Sequence, residues 1–293
     1  MTSKENETMK RLWVTFRYTF LGLRGQVLGW GLSLGLYGLM IVPMYEKFAG
    51  QGSQFQEMIA SYPPEFLAFF GATVNSMLTP AGFLGMYAFS MLPIIIAIFA
   101  VLAGSGLIVS DEERGRLDLI MAHPVGRSAF FAGRVLGLLV ACVAIMLLAW
   151  LGFSLLLGGS SLGVDWSQMV VPFLSLLVQT LVYAGMALLL SMFLPARSLA
   201  AIVSGMVVVI SYMVSSLAFM DERMGALARL MPYHYFQTTL SFQELNLGWL
   251  FTLLGISTLM VVLAWLRFVR RDIRLSGEGS WRQPFLAKRK RTI

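Results

Sequence analysis

Three consecutive acids, Asp111, Glu112 and Glu113, followed by Arg114, Gly115 and Arg116, open a charged stretch that runs over 110–134 between two long apolar runs. The two histidines and the single cysteine, Cys142, are far apart in the 293-residue sequence, so no metal-ligand cluster is formed. Serines and threonines in the apolar runs have no histidine partner to make them nucleophiles. The phosphate-loop pattern GxxxxGK[ST] occurs nowhere, and Gly104 with Gly106 does not make one.

The elements that must carry these charges can be read next. Leu117, Ile120 and Met121 fall at i, i+3 and i+4, one face of a helical turn. Ser110 with Glu113 fits a capping box, which places a helix start there. Pro124 ends the helix, because His123 before a proline is pushed out of the α region. Such a short helix across the end of a membrane protein is a handle for a partner. A charged loop with incidental helicity accounts for the same residues.

The whole chain is 57% apolar and 13% charged, with a mean hydropathy of +0.75. Soluble domains carry about 25% charged residues. The class expected is therefore an all-α polytopic membrane protein. The net charge of +7 would point to nucleic acid in a soluble chain, but here its placement matters more.

Six apolar runs predict six transmembrane helices, at about 26–45, 83–109, 131–157, 169–194, 199–220 and 247–268. Each is long enough to cross about 30 Å of hydrocarbon. They form a domain over 26–268, preceded by a polar stretch at 1–25 and followed by a basic tail at 269–293. Within the first stretch, residues 7–24 read as an amphipathic helix. Lys10, Arg17 and Arg24 make one stripe, and Trp13, Phe16 and Phe20 another. Basic and aromatic faces suit a helix lying in the headgroup region; an ordinary positive flank would also orient the first span.

Gly31 and Gly35 form a GxxxG pair, which fits a contact within the bundle or a dimer seam equally. Ala200 with Ser204, and Ala201 with Gly205, are similar small pairs. Pro93 is expected to kink span two. Phe66, Leu67, Phe69 and Phe70 fit a short helix after Pro63-Pro64, packed on the end of the bundle. Residues 224–231 and 235–245 fit two more, with His234 as an interfacial polar residue.

Lysines and arginines set the orientation. The N-terminal stretch, the hairpin, the Arg197 turn and the tail hold 5, 4, 1 and 9; the three opposite loops hold 1, 0 and 2. Both termini and the hairpin are thereby placed in the cytoplasm, and the basic tail is expected at the membrane lipids rather than on nucleic acid. With Arg134 counted in the hairpin and Arg267 in the tail, the apolar cores hold no Asp, Glu, Lys, Arg or His. A proton-coupled carrier usually needs one at membrane depth. The energy source, if there is one, belongs on another chain.

The residues Asp111 to Ile120, with Pro124-Val125-Gly126-Arg127, resemble the signature of ABC-2-type ABC transporter permeases. The family pattern is roughly acid-acid-x-Gly-Thr-Leu-Glu-Leu-Leu, then Pro-Val-Ser-Arg. Arg116, Asp118 and Gly126 stand where Thr, Glu and Ser are common, and the helix face is kept. The resemblance extends over the six-span layout and the N-terminal helix. It implies an exporter membrane subunit of the bacterial plasma membrane, not itself an enzyme and binding no cofactor. A separate ATP-binding cassette ATPase would hold ATP and Mg, and a second permease copy or paralogue would complete a dimer.

By the same resemblance the hairpin carries a cytoplasmic coupling helix between spans two and three. Glu112, Glu113, Gly115, Leu117, Asp118, Leu119, Ile120, Met121, Pro124 and Arg127 would serve ATPase coupling. Leu117, Ile120 and Met121 would fill an apolar groove on the ATPase; Glu112, Glu113 and Asp118 would meet its basic groups or fix the helix angle. On this view Leu117→Glu uncouples transport and leaves the permease folded. Trp13, Phe16, Arg17 and Phe20 would belong to a connecting helix that also touches the ATPase. An uncoupled channel or carrier, and a membrane scaffold or sensor, are the competing readings. A neighbouring ATPase subunit separates them from the exporter.

Overall fold

The computed structural model of the chain describes residues 3–50, 53–121, 126–237 and 245–271. Among the described residues the α-helices are α1 (Ser3–Ala49), α2 (Ser53–Ala60), α3 (Pro64–Phe69), α4 (Val74–Met77), α5 (Pro80–Leu84), α6 (Leu92–Gly106), α7 (Val109–Glu113), α8 (Arg116–Met121), α9 (Arg127–Ser154), α10 (Trp166–Phe193), α11 (Arg197–Leu217), α12 (Gly225–Ala228) and α13 (Leu247–Arg270). Six stretches are long and apolar enough to span a membrane: Met9–Ala49, Pro80–Gly106, Arg127–Gly159, Trp166–Phe193, Arg197–Leu217 and Leu247–Arg270. They fall on the six apolar runs, and the all-α polytopic class holds.

The N-terminal helix is present but is not a separate element. α1 runs unbroken for 47 residues, about 70 Å at 1.5 Å per residue. Packing against α9 explains the continuity. Gly133 leaves room for the backbone of Leu12 and Phe16, Gly137 for Thr19, and Gly31 and Gly35 meet Leu148. Positions rise together along both helices, so α1 and α9 are parallel and in contact over most of α9. Thr15 and Thr19, one turn apart, are the buried face; Trp13, Arg17 and Tyr18 are exposed.

The GxxxG pair is thus used inside the chain. A Cβ on Gly152 would overlap the backbone of Gly35. We expect Gly152→Ala to force the helices apart at a cost of about 1–3 kcal/mol. Thermal unfolding in detergent should show a lower Tm than for Gly29→Ala, whose Cβ would meet open space. Equal Tm values would contradict this packing.

α10 is the central helix and α13 a peripheral one: 67% of the most apolar stretch of α10 is buried, against 22% for α13. A Cβ on Gly104 of α6 would overlap the backbone of Ala184, so small residues again set the closest approach. Span two is broken rather than kinked. α5 passes into a π-helical turn, Gly85–Phe89, and α6 restarts at Leu92 with Pro93 in its first turn, where a proline costs no hydrogen bond. Neighbours satisfy carbonyls at the break: the Tyr233 hydroxyl donates to Ser90 O at 2.9 Å, and the Tyr37 hydroxyl donates to Tyr87 O.

At the end of the bundle remote from the hairpin, Leu67 of α3 is buried and Phe69 meets Tyr212 edge-on with centroids 5.8 Å apart, while Phe66 stays exposed. The stretch 232–237 folds inward. Tyr233 N–H donates to Ser211 Oγ and Gln237 N–H to Ser175 Oγ, both at 2.9 Å. Burial pushes the Tyr233 phenol up, so it remains a neutral donor. Two expected helices differ in form. Residues 222–228 are a 3₁₀ turn leading into α12. Pro232–Tyr235 is a 3₁₀ turn, and 238–244 lie outside the described residues.

Candidate functional site

The charged stretch forms two short helices, α7 and α8, joined at Gly115. Gly115 has φ +64°, a left-handed conformation that favours glycine, and it turns the chain between the two helices. The expected capping box does not form. Ser110 lies inside α7, whose N-cap is Ile108, and Glu113 points elsewhere.

Each acid of α7 is held by a different part of the bundle. Asp111 pairs with Arg134 of α9, and both are buried. Glu112 pairs with Arg271, just past α13, also within the interior. The Glu113 Oε1 atom accepts the backbone N–H of Arg197, the first residue of α11, at 2.9 Å. Successive residues of a helix point about 100° apart, so one turn can reach three neighbours. The Arg197 guanidinium then donates to Leu102 O of α6 at 3.2 Å, and Arg271 donates to Met192 O of α10 at 3.2 Å. Arg127 donates to Arg271 O at 2.8 Å and to Val269 O at 3.2 Å. The hairpin is therefore tied directly to α9, α11 and the end of α13, and through Arg197 and Arg271 to α6 and α10.

Two sequence-based roles change. Glu112 meets a basic group of its own chain, Arg271, and Glu113 accepts a backbone N–H of its own chain, that of Arg197, so both are engaged within the bundle. Leu117 is 1% exposed and lies in the chain's own core, because α8 folds back with that face inward. It cannot fill a partner's groove in this conformation. Ile120 and Met121 are half-buried, and Arg116 is exposed. Asp118 and Leu119 are on α8, but their side chains lie outside the described residues, as does all of Pro124. Most of the basic tail, 272–293, is outside them too.

On α1, Trp13 and Phe16 stack with centroids 5.1 Å apart, Phe16 and Phe20 follow at 6.2 Å, and Trp13 is 60% exposed. Phe16 and Phe20 are half-buried, and it is Lys10, Arg11, Val14 and Tyr18 of α1 that face Arg116 and Ile120 of α8. Of the small pairs on α11, Ala200 and Ser204 are fully buried, while nothing lies within 4 Å of a Cβ on Gly205. His234 has its pKa lowered by burial and then by Arg229, and its ring lies tilted against that of Trp249 with centroids 5.8 Å apart.

Arg134 is the residue that sequence reasoning undervalued. It lies seven residues past the start of α9, with its guanidinium 5.1 Å from the ring centres of both Tyr18 and Phe130. An arginine inside an apolar helix carries a signal of its own, since it must find a partner.

The family model for the C-terminal domain of the multidrug efflux system permease Rv1217c matches residues 19–269. That span includes the hairpin and the greater part of every long helix. The chain belongs to this permease family. No curated protein matches it. The permease is a multi-pass membrane protein whose charged hairpin is locked into its helix bundle at one end.

Proposed function

We propose that this permease is the membrane subunit of an ATP-driven multidrug exporter of the ABC-2 type, working with a separate ATP-binding cassette ATPase. The observation that carries the reading is the family match over 19–269, which brackets hairpin and spans together. The hairpin is the coupling element. Its direct bonds to α9, α11 and the end of α13 give a route by which a push at α8 tilts the bundle. The lysine and arginine asymmetry favours a plasma-membrane orientation with the hairpin and both termini cytoplasmic. ATP and Mg belong to the partner, and the permease itself is no enzyme. A second permease copy or paralogue has the unused small-residue surface around Gly205 to pack on.

The docking face is the outer side of α8, with Ile120, Met121 and Arg116, beside Lys10, Arg11 and Val14 of α1. The test is ATP hydrolysis by the complex of this chain with an ATPase encoded beside it, reconstituted in liposomes with ethidium or a rhodamine. Hydrolysis should rise with the drug. Met121→Glu should keep the Tm of the permease and lower drug-stimulated hydrolysis at least tenfold. Transport by the purified chain alone, or full stimulation in the variant, would overturn the reading.

A further inference from the structure

Beside the hairpin, residues of α1, α6, α7, α8, α9 and α11 line an open cavity of about 600 Å³. Among the described residues five arginines line it, Arg24, Arg114, Arg116, Arg134 and Arg197, against one acid, Asp111. Asp111 is already taken by Arg134. Arg197 lies over Gly106 and donates to Leu102 O. The guanidinium groups of Arg24, Arg114 and Arg116 are exposed, and among the described residues none has an ion-pair or hydrogen-bond partner. Arg134 is 6% exposed, and its Nε has no hydrogen-bond acceptor. A buried donor without an acceptor is costly, and so is a concentration of like charge.

Among the described residues no second acid lines the cavity. Glu112 is held by Arg271, and Glu113 by the Arg197 backbone. The C-terminal tail is itself basic. The cavity therefore calls for an anion from outside the chain. Guanidinium forks match phosphate oxygens in geometry and charge. The wall narrows the choice further. Leu21 and Leu102, both lining it, are 45% and 47% exposed, so apolar surface continues from the basic floor. A small soluble anion would leave that surface uncovered.

We propose that this cavity binds the phosphate headgroup of an anionic membrane lipid, with the acyl chains along Leu21 and Leu102. The lipid joins Arg24 on α1 to Arg114 and Arg116 at the hairpin, and so sets how firmly the hairpin is seated. The assignment rests on the chain being a membrane protein and not on its coupling to ATP.

The experiment is lipid binding to the purified full-length permease in a non-ionic detergent, read by native mass spectrometry and by thermal shift. Phosphatidylglycerol is titrated against phosphatidylcholine with the same acyl chains, and against soluble glycerol phosphate. Phosphatidylglycerol should bind and raise the Tm, phosphatidylcholine should not, and 1 M salt should weaken the effect. Arg24→Gln with Arg114→Gln should bind phosphatidylglycerol about thirtyfold more weakly, and Arg24→Gln alone about fivefold. Arg223→Gln, outside the cavity lining and with the same loss of charge as one cavity substitution, should bind as the parent does. Equal binding of both lipids, or unaltered binding in both cavity variants, would overturn the proposal. Glycerol phosphate binding as tightly as the lipid would also overturn the lipid assignment, by making a soluble phosphate the occupant.

Discussion

Asp111→Ala is expected to destabilise the permease by about 3–5 kcal/mol, because it leaves the Arg134 guanidinium buried without its partner. The two side chains are 7% and 6% exposed as residues, so water cannot take over the role of the carboxylate. A loss of this size is a large share of the roughly 5–15 kcal/mol that holds a domain folded. Thermal unfolding in detergent, with size-exclusion chromatography, measures it. The informative comparison is the double change Asp111→Ala with Arg134→Met. Removing both charges should recover most of the loss, since an apolar pair of similar volume is often as stable as a buried ion pair. The methionine retains packing against Tyr18 and Phe130, which now flank the guanidinium. If Asp111→Ala unfolds at the parental temperature, the pair is not holding α7 to α9.

Leu117→Glu should fail to fold, not yield a folded and uncoupled permease. At 1% exposure the new carboxyl would sit in the apolar core beneath α8. A fully buried carboxyl has its pKa raised by up to 3–5 units, and each unit is about 1.4 kcal/mol, so the cost is on the order of 4–7 kcal/mol. The lost leucine packing adds to it. The expected result is little monodisperse protein after solubilisation. Leu117→Met, which conserves volume, should give normal yield and a Tm within a few degrees of the parent. A well-folded Leu117→Glu variant would mean that α8 can swing out and expose this face.

The contrast between Leu117 and Met121 shows where reading the sequence stops. Both lie on the apolar face drawn from the i, i+3, i+4 spacing. The spacing identifies a face but not what covers it. Only the fold shows that Gly115 turns the chain so that Leu117 points into the bundle and leaves Ile120 and Met121 half-exposed. The acids tell a similar story. Asp111, Glu112 and Glu113 read as one negative patch, yet the helical step of about 100° sends each to a different neighbour. A partner on one side could not have met all three.

The N-terminal helix was legible as a helix, with its basic and aromatic stripes, but not as the first part of span one. That depended on Gly133 and Gly137, more than a hundred residues away, which give α1 a surface to run along. The membrane class, the six spans and the charged hairpin were decided by the sequence alone, because apolar run length and charge placement are local properties that add along the chain. The ion pairs, the burial of Leu117 and the five-arginine cavity were decided only by the tertiary structure. They depend on which helices become neighbours and on how each is rotated about its axis, and no short window of residues contains that information.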